Sequence, residues 1–351
     1  MNNNLSLRLK QARKAAGLSM RDLASLVSLS HMAIKKYEDG ILFPSSDMLL
    51  KLAKALNVRV DFFFRPVKVS LGEVKFRKRK HLSKKSEETL KMGVTDQIER
   101  RFELENLYPS SPMSSFTLPQ FPPIKTLDDL ESLAEKLRDH WKLGTAPICD
   151  LIDALESRGV RVFVLDHEYF DGLAATIENL PILVISSDCP GDRQRFSLAH
   201  ELAHYILKDI LPPNIDEEEA CNRFAGAFLF PKEALIQVMG KSRSAIELQE
   251  LLLLKEQFQV SMGSICHRLR DLKIISESHY KTIIADFKLK GWNLKEPGPQ
   301  IPPNKAHAFK QMLFHALGEE YIGDSKAAEL LQCSLDELKE LRLVQNGRNT
   351  R

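Results

Sequence analysis

The stretch RFSLAHELAHYIL, at positions 195–207, places two histidines and a glutamate inside an apolar segment. We interpret this segment as a helix. His200 and His204 are four residues apart, so they would project from one face about one turn from each other, near enough for one metal ion to bind both. Glu201 would lie beside that face, where its carboxylate can take a proton from a water that a zinc ion activates.

A catalytic zinc site needs a third protein ligand. The segment IDEEEACNRFAGAFLFP, residues 215–231, is predicted to form a helix that crosses the first one, and three carboxylates stand at its start. Glu217, Glu218 and Glu219 are all candidates, and one of them suffices. In the alternative interpretation, His200 and His204 are hydrogen-bonded structural residues. A metal site can also be structural or sensing instead of catalytic.

The first 65 residues have a basic excess, with eleven Lys/Arg and five Asp/Glu. Apolar spacing predicts a first helix over residues 5–16 that Gly17 ends, and a second helix that Ser19 caps. A tight SLS connection precedes a third helix from about His31 to Tyr37, and a fourth spans residues 46–56. The short connection predicts that the third helix projects from the bundle, as in a helix-turn-helix DNA reader.

The segment LSMRDLASLVSLSHMAIKKYEDGILFPSSDMLLKLAKALNVRVDFFF resembles the Cro/cI-type phage-repressor helix-turn-helix family, over about residues 5–64. The positions that carry the resemblance recur in order as Leu23, Ala24, Tyr37, Glu38, Gly40 and Pro44. Ser28 stands where the family usually has the turn glycine. The resemblance implies that the start of the third helix enters the major groove of a double-stranded operator. Candidate base or groove contacts are Ser30, His31, Met32 and Lys35, and candidate phosphate contacts are Lys36 and Arg13. The alternative is a solvated basic bundle.

Residues 67–124 are predicted to be a basic and helical linker after a first domain at 1–66. The run from Lys75 to Lys85 contains seven Lys/Arg, which can contact DNA backbone or form a solvated face. Apolar spacing predicts an amphipathic helix over residues 86–107. The proline- and serine-rich stretch 109–123 predicts an irregular hinge.

The second domain is predicted to begin near residue 125 with helices at 126–141 and 147–158, where Pro147 suits a first helical turn. The runs VRVFVL, GLAATIE and PILVIS then predict a small sheet of three strands. The predicted fold class is α+β, mostly α. It comprises an N-terminal helix-turn-helix bundle, a zincin-like domain with this three-stranded sheet, and a helical C-terminal tail.

With RQRFSLAHELAHYIL followed by EEEACNRFAGAFLFP, residues 125–240 resemble the ImmA/IrrE family of zinc-dependent peptidases. In that family the third ligand is a glutamate four positions before the asparagine of an A-N-x-F-A-like stretch. Asn222 is that asparagine here, so the resemblance implies that His200, His204 and Glu218 hold zinc. Glu217 and Glu219 remain the alternatives. The same resemblance makes Glu201 the general base.

Cys221 departs from the pattern, because it stands where the family usually shows alanine. A buried packing thiol is the simplest interpretation, and a zinc ligand or an oxidation sensor is the alternative. The five cysteines lie far apart without a C-x-x-C pair, which is typical of reduced thiols and not of a disulfide framework.

The remaining residues are predicted to be helical, with 241–298 completing the peptidase domain and 299–351 forming a C-terminal segment. SKAAELLQCSLDELKELRL predicts two short helices about a CS turn, a weak resemblance to a second helix-turn-helix. It lacks a net basic excess, so we expect packing or dimerisation before DNA contact.

Composition is that of a folded soluble protein, with 43% hydrophobic and 28% charged residues in 351. No apolar run approaches the roughly 18 residues of a membrane span, and the N-terminus lacks the apolar core of a secretion signal. We therefore expect a cytoplasmic protein with no membrane partner.

The sequence thus predicts a DNA-binding transcription regulator with a zinc-dependent endopeptidase domain that cleaves one or few regulatory proteins, such as repressors. Repressor symmetry makes a homodimer a reasonable expectation. The alternative function is a non-proteolytic repressor or antitoxin-like regulator, whose metal domain senses a signal or dimerises. A third interpretation is a digestive peptidase with a vestigial DNA domain.

Overall fold

The computed structural model describes residues 3–65, 75–78, 84–110, 113–165, 170–177 and 180–343. These residues form two units. Unit 1 holds residues 3–65, 84–110 and 307–343, and unit 2 holds 75–78, 113–165, 170–177 and 180–306. Parts of the predicted basic run and hinge, and Glu178 of the second predicted strand, lie outside the described residues. No helix in the described ranges is long and apolar enough to cross a membrane.

Helices dominate both units. In chain order they are α1 (Asn3–Ala15), α2 (Met20–Leu26), α3 (His31–Glu38), α4 (Ser46–Ala55), α5 (Lys84–Glu105), α6 (Asp129–His140), α7 (Leu151–Glu156), α8 (Gly191–Leu207), α9 (Glu217–Leu229), α10 (Lys232–Met239), α11 (Leu248–Phe258), α12 (Met262–Asp271), α13 (Glu277–Leu289), α14 (Ala308–Gly318), α15 (Asp324–Leu331) and α16 (Leu335–Arg342). The strands are β1 (Lys75–Lys78), β2 (Arg161–Leu165), β3 (Phe170–Ile177) and β4 (Leu180–Ser186).

The four predicted helices of the N-terminal bundle are confirmed. Ser19 caps α2 in a reciprocal capping box: its hydroxyl accepts from the Asp22 N–H at 3.1 Å, and the Asp22 carboxylate accepts from the Ser19 N–H at 2.8 Å. Ser30 caps α3 and Ser45 caps α4, each through one hydrogen bond that the serine hydroxyl accepts from a backbone N–H. The bundle closes over an apolar core that includes Leu9, Leu23, Ile34, Leu52 and Phe63.

The turn between α2 and α3 keeps helix-turn-helix geometry without glycine. Ser28 has a φ of 57°, the left-handed region that glycine enters at little cost. The Leu29 N–H donates to the Ala24 carbonyl at 2.8 Å across this turn. The serine therefore accepts the strained conformation, and the turn is preserved.

The C-terminal helices belong to unit 1. Packing against α5 brings the Tyr108 hydroxyl to the Met312 carbonyl at 2.5 Å and the Arg100 guanidinium to the Leu330 carbonyl at 2.7 Å. On its other side α5 contacts α1, where the Arg8 guanidinium pairs with the buried Glu99 carboxylate at 2.5 Å. The predicted linker helix and C-terminal segment thus lie in the same unit as the helix-turn-helix.

The two short helices predicted at the C-terminus are confirmed as α15 and α16. Gln332 ends α15 in the left-handed conformation, with a φ of 57°. Ser334 caps α16 in a capping box with Glu337. The CS turn therefore repeats the local chemistry of the N-terminal turn.

Unit 2 contains a sheet with strand order β1-β3-β4-β2. The three predicted strands are confirmed: β3 and β4 are antiparallel, and β2 and β4 are parallel. A fourth strand, β1, adds to the edge antiparallel to β3, within the run predicted as a basic linker. Helix α8 packs against β3 and β4, which brings the predicted metal-binding helix onto the sheet.

Helix α7 begins later than predicted. Asp150 is its N-cap and accepts from the Asp153 N–H at 3.1 Å, so Pro147 precedes the helix instead of opening it. The Arg138 guanidinium organises the preceding loop, because it donates to the carbonyls of Gly144 and Ala146 at 2.6 Å. These carbonyls accept hydrogen bonds from Arg138, and the helix begins after the next residue that can cap it, Asp150.

Candidate metal centre and helix-turn-helix surface

Helix α8 carries the predicted metal-binding residues on a largely buried helix. Leu198, Ala199, Leu202 and Ala203 are fully buried, and so is the intervening His200. Such burial costs free energy for polar groups unless they find partners. The histidine and glutamate side chains of this helix therefore need polar partners or a ligand.

Three donor groups converge at one point. The Nε2 atoms of His200 and His204 lie 3.1 Å apart. The Glu218 carboxylate comes from the first turn of α9, with one oxygen 3.3 Å from the His200 Nε2 and the other 3.4 Å from the His204 Nε2. The Glu218 side chain is 63% exposed, so this point opens to solvent.

The Nδ1 atom of each imidazole contacts a side chain of α9. The Nδ1 of His200 lies 3.0 Å from the Asn222 Oδ1, and the Nδ1 of His204 lies 3.0 Å from a Glu217 carboxylate oxygen. An acceptor at Nδ1 favours the tautomer with the proton there and leaves Nε2 available as a metal ligand. Glu217, an alternative third ligand in the sequence, thus contacts the outer nitrogen of His204.

The start of α9 separates the three glutamates. Asp216 caps the helix by accepting from the Glu219 N–H at 2.8 Å, and Glu219 is exposed. Successive residues of a helix are about 100° apart, so only one of the three carboxylates can face both Nε2 atoms. That carboxylate belongs to Glu218.

Cys221 offers a second possible donor set. Its Sγ and one ring nitrogen from each of His200 and His204 lie within 4.8 Å of one another, and the thiol is buried. The two Glu218 oxygens approach the same Nε2 atoms that approach each other. Either set of three donors leaves a fourth position open on zinc, and two histidines with a glutamate are a ligand set of catalytic zinc.

Glu201 is buried on α8 directly under β3. A Cβ added at Gly172 would lie 3.0 Å from the Glu201 Cγ and 3.1 Å from its Oε1. A side chain at this position would crowd the carboxyl group, which glycine avoids. The close approach limits the space that the Glu201 carboxyl group can occupy.

The donor set fits zinc. Two imidazole nitrogens bound to one zinc ion at about 2.0–2.1 Å would lie roughly 3.3 Å apart, close to the 3.1 Å between the Nε2 atoms. The nitrogens and the carboxylate are the ligand types of catalytic zinc sites. Asn222 and Glu217 supply the outer hydrogen-bond acceptors that ligating histidines usually have.

The predicted DNA-contacting residues on α3 are exposed. Ser30 caps the helix, and the other four lie on or near its solvent side: His31, Met32, Lys35 and Lys36. Lys35 and Lys36 place two positive charges in the last turn of α3. Their assignment as base or phosphate contacts stays a prediction.

Arg13 differs from these residues, because its side chain is buried in an ion pair, and its assignment as a phosphate contact also stays a prediction. Its guanidinium donates to both Glu38 carboxylate oxygens, at 2.5 and 2.8 Å, and to the Leu18 carbonyl at 2.8 Å. Both side chains are buried. These hydrogen bonds join α1 to the end of α3.

Two arginines and a tyrosine lie on α8 near the histidines in the chain. Arg195 is buried, donates to the carbonyl oxygens of Ile148 and Cys149, and burial lowers its pKa to about 10. It is a structural residue. Tyr205 packs edge-on against the Phe116 ring, and burial raises the pKa of its hydroxyl. Arg193 is exposed at the start of α8.

Sequence reasoning missed the supporting residues of the site. The glycine that opens the predicted strand GLAATIE was the available signal for Gly172, since a glycine in a strand often marks a close backbone approach. Nothing local distinguishes Asn222 or Glu217 as partners of histidines that lie 22 and 13 residues away.

Family comparisons agree with this division of the chain. A model described as Helix-turn-helix matches residues 9–63. The M78 peptidase model, described as IrrE N-terminal-like domain, matches residues 155–270, which include all the donors above.

Two curated relatives cover only part of the chain. The HTH-type transcriptional regulator ImmR of Bacillus subtilis (strain 168) is 33% identical over 67 residues, which are 19% of this chain and 53% of that protein. An uncharacterized HTH-type transcriptional regulator of Rickettsia conorii is 38% identical over 52 residues, 15% of this chain and 42% of its own length. The chain thus spans about half the length of the curated relatives it matches. On these matches and on its fold, the chain joins an N-terminal helix-turn-helix domain of the type found in transcription regulators to an IrrE N-terminal-like domain of the M78 peptidase family.

Proposed function

We propose that the protein is a DNA-binding transcription regulator whose second domain is a zinc-dependent endopeptidase that cleaves one or few regulatory proteins. The observation that carries the peptidase part is the convergence of the two Nε2 atoms and the Glu218 carboxylate, within 3.1–3.4 Å of one another. The exposed α3 surface, on a bundle with a basic excess, supports the DNA-binding part.

In this proposal His200, His204 and Glu218 hold the zinc ion, which would activate a water and polarise the peptide carbonyl. Glu201 takes the proton from the attacking water and delivers it to the leaving nitrogen. Gly172 leaves room for the Glu201 carboxyl group under β3. Asn222 and Glu217 hold the two imidazole rings in the required tautomer.

Metal content is the first test of the site. We expect about one zinc per chain by elemental analysis of protein purified without added metal, and loss of zinc from folded His204→Ala and Glu218→Ala variants. Glu219→Ala is the matched control, because its carboxylate is next in the chain and exposed. Wild-type protein that stays metal-free after zinc is supplied would sink the peptidase proposal.

Proteolysis is tested separately with Glu201→Gln, which should keep zinc and fold while abolishing cleavage. New protein N-termini would be mapped in cells that express the wild type or this variant. We expect a short set of cleavage sites present only with the wild type. A broad set would favour a digestive peptidase.

DNA binding is tested by selecting duplexes from a random pool with the full chain. The Lys35→Ala/Lys36→Ala variant should lose affinity for the selected operator, whereas Lys51→Ala/Lys54→Ala on α4 removes the same charge and should bind nearly as well. A palindromic operator would support a homodimer.

A regulator of transcription acts where the DNA is, so we expect the protein in the cytoplasm.

A non-proteolytic regulator is the second candidate, and the position of Cys221 favours it. A thiol among the two histidines would make an alternative metal site, with a structural or sensing role. Zinc would then be lost in Cys221→Ser and retained in Glu218→Ala. Regulation in cells would also be unaffected by Glu201→Gln.

A further inference from the structure

A cavity of about 590 Å³ opens in unit 2 next to the metal centre. Its walls come from the first residues of α8, from α9, α12 and α13, and from the segment 292–300. This volume lies in the range of small-molecule binding sites, roughly 300–1,000 Å³. The proposed peptidase chemistry does not use this cavity.

Aromatic side chains form part of the wall. Phe287 on α13 and Trp292 just after it have ring centroids 5.3 Å apart, and Phe196 contributes from α8. The Lys290 ammonium lies 4.8 Å from the Trp292 ring centroid, a cation–π contact that helps to hold this ring. Such walls favour a ligand with a flat apolar group.

The charged side chains of the interior are already paired. Arg268 binds the Glu131 carboxylate, Arg270 donates to Asp271 at 2.8 Å, and the buried Lys255 ammonium lies 3.0 Å from a Glu296 oxygen. These groups stabilise the wall, and their charges are largely compensated.

Positive charge remains at the rim. Among the lining residues that the structure describes, seven are Lys or Arg and four are Asp or Glu. Lys288 and Lys295 are exposed, and neither forms an ion pair with a residue in the described ranges. A negatively charged group at the rim would be attracted by both ammonium groups.

The segment that carries Trp292 and Lys295 is anchored. The Glu296 carboxylate accepts from the N–H groups of Met262 and Gly263, each at 2.9 Å, at the start of α12. The Trp292 N–H donates to the Phe287 carbonyl at 2.8 Å. A wall held at both points is preorganised, which lowers the entropic cost of binding a ligand.

The cavity also reaches the outer side of the metal centre. Asn222 lines it, and the Asn222 Oδ1 lies 3.0 Å from the Nδ1 of His200. Phe196 lines it as well, with its ring centroid 6.5 Å from that of His200. A ligand in the cavity would therefore touch side chains that contact a candidate metal ligand.

We propose that this cavity is an effector site for a small organic anion that carries an aromatic group. The aromatic group packs against Trp292 and Phe287, and the anionic group lies at Lys288 and Lys295. Asn222 links the bound effector to His200. Binding itself requires no metal, so this site stands or falls independently of the proposed peptidase.

The test uses the full chain and two fluorescent dyes. The anionic probe is 8-anilinonaphthalene-1-sulfonate, and N-phenyl-1-naphthylamine is its uncharged counterpart. We expect saturable binding of the anionic dye, with a Kd about tenfold higher for Lys288→Glu/Lys295→Glu. The Kd of the uncharged dye should stay unchanged in that variant.

Lys281→Glu/Lys310→Glu is the matched control, because both lysines are exposed and lie outside the cavity. It should bind both dyes as the wild type does. Trp292→Leu should weaken both dyes, and circular dichroism would verify that each variant is folded. His204→Ala should bind both dyes normally, which separates this site from the metal centre.

The proposal is overturned if the wild type shows no saturable binding of the anionic dye, or if Lys288→Glu/Lys295→Glu binds it unchanged. Equal weakening of both dyes in that variant would exclude recognition of the negative charge. Unchanged binding by Trp292→Leu would exclude the aromatic wall. Loss of binding in His204→Ala would locate the dye at the metal centre instead.

Discussion

Arg13→Ala should destabilise the helix-turn-helix bundle. The Arg13 and Glu38 side chains are 8% and 2% exposed, and two hydrogen bonds of 2.5 and 2.8 Å join them. Removing one partner of a buried ion pair leaves an uncompensated charge and costs about 3–5 kcal/mol. At the lower limit, the equilibrium constant for opening the bundle rises about 100-fold.

Hydrogen exchange followed by mass spectrometry is the suitable assay, because it resolves peptides of the bundle within the full chain. The slowest amides of α1 and α3 should exchange about 100-fold faster in Arg13→Ala. Lys10→Ala, an exposed residue of the same helix, should exchange at the wild-type rate. Arg13→Met/Glu38→Leu should recover much of the loss, because no buried charge is left unpaired.

The opposite result would refute this reasoning. If Arg13 contacted phosphate, Arg13→Ala would leave exchange unchanged and reduce DNA affinity. The slope of log affinity against log salt concentration would then fall in magnitude by about 0.9.

Three smaller predictions concern single side chains. Asn222→Ala should weaken zinc binding by about 10–100-fold in a chelator competition, with the fold intact; an unchanged affinity would exclude its role in holding His200. Ser28→Gly should stabilise the bundle by roughly 0.5–1 kcal/mol, seen as slower hydrogen exchange, because it relieves the left-handed strain. Burial raises the pKa of Cys266 from 9.0 to about 12, so at pH 8 iodoacetamide should modify the exposed Cys149 and spare Cys266. Because that pKa is raised in the folded state, the stabilisation is present below about pH 9 and is lost as the pH rises toward 12, which a fall in Tm over this range would reveal.

Much of the architecture follows from patterns local in the sequence. Helical spacing and capping serines locate the helices of both domains within a few residues, since caps and side-chain periodicity act over one or two turns. The same local rule puts His200 and His204 on one helix face. Pro147 and Asp150 are both residues that favour the start of a helix, so local sequence does not decide between them. Helix α7 begins after Asp150.

Contacts between segments that are far apart in the chain could not be predicted from the sequence. Adjacent glutamates at the start of α9 have equivalent local surroundings, and only the crossing of α9 over α8 turns Glu218 toward both Nε2 atoms. Likewise, the sequence presents Arg13 as an arginine on a basic helix, and only the fold brings the Glu38 carboxylate to it.

The sequence by itself determined the helices, the two domain types and the spacing of the candidate ligands, because these depend on interactions between near neighbours. Tertiary structure alone decided the addition of β1 to the sheet, the packing of the C-terminal helices on α5, and the cavity beside the metal centre. Each of these joins segments tens to hundreds of residues apart. Which distant surfaces meet depends on burying apolar area and pairing polar groups over the whole fold, and no short window of sequence contains that information.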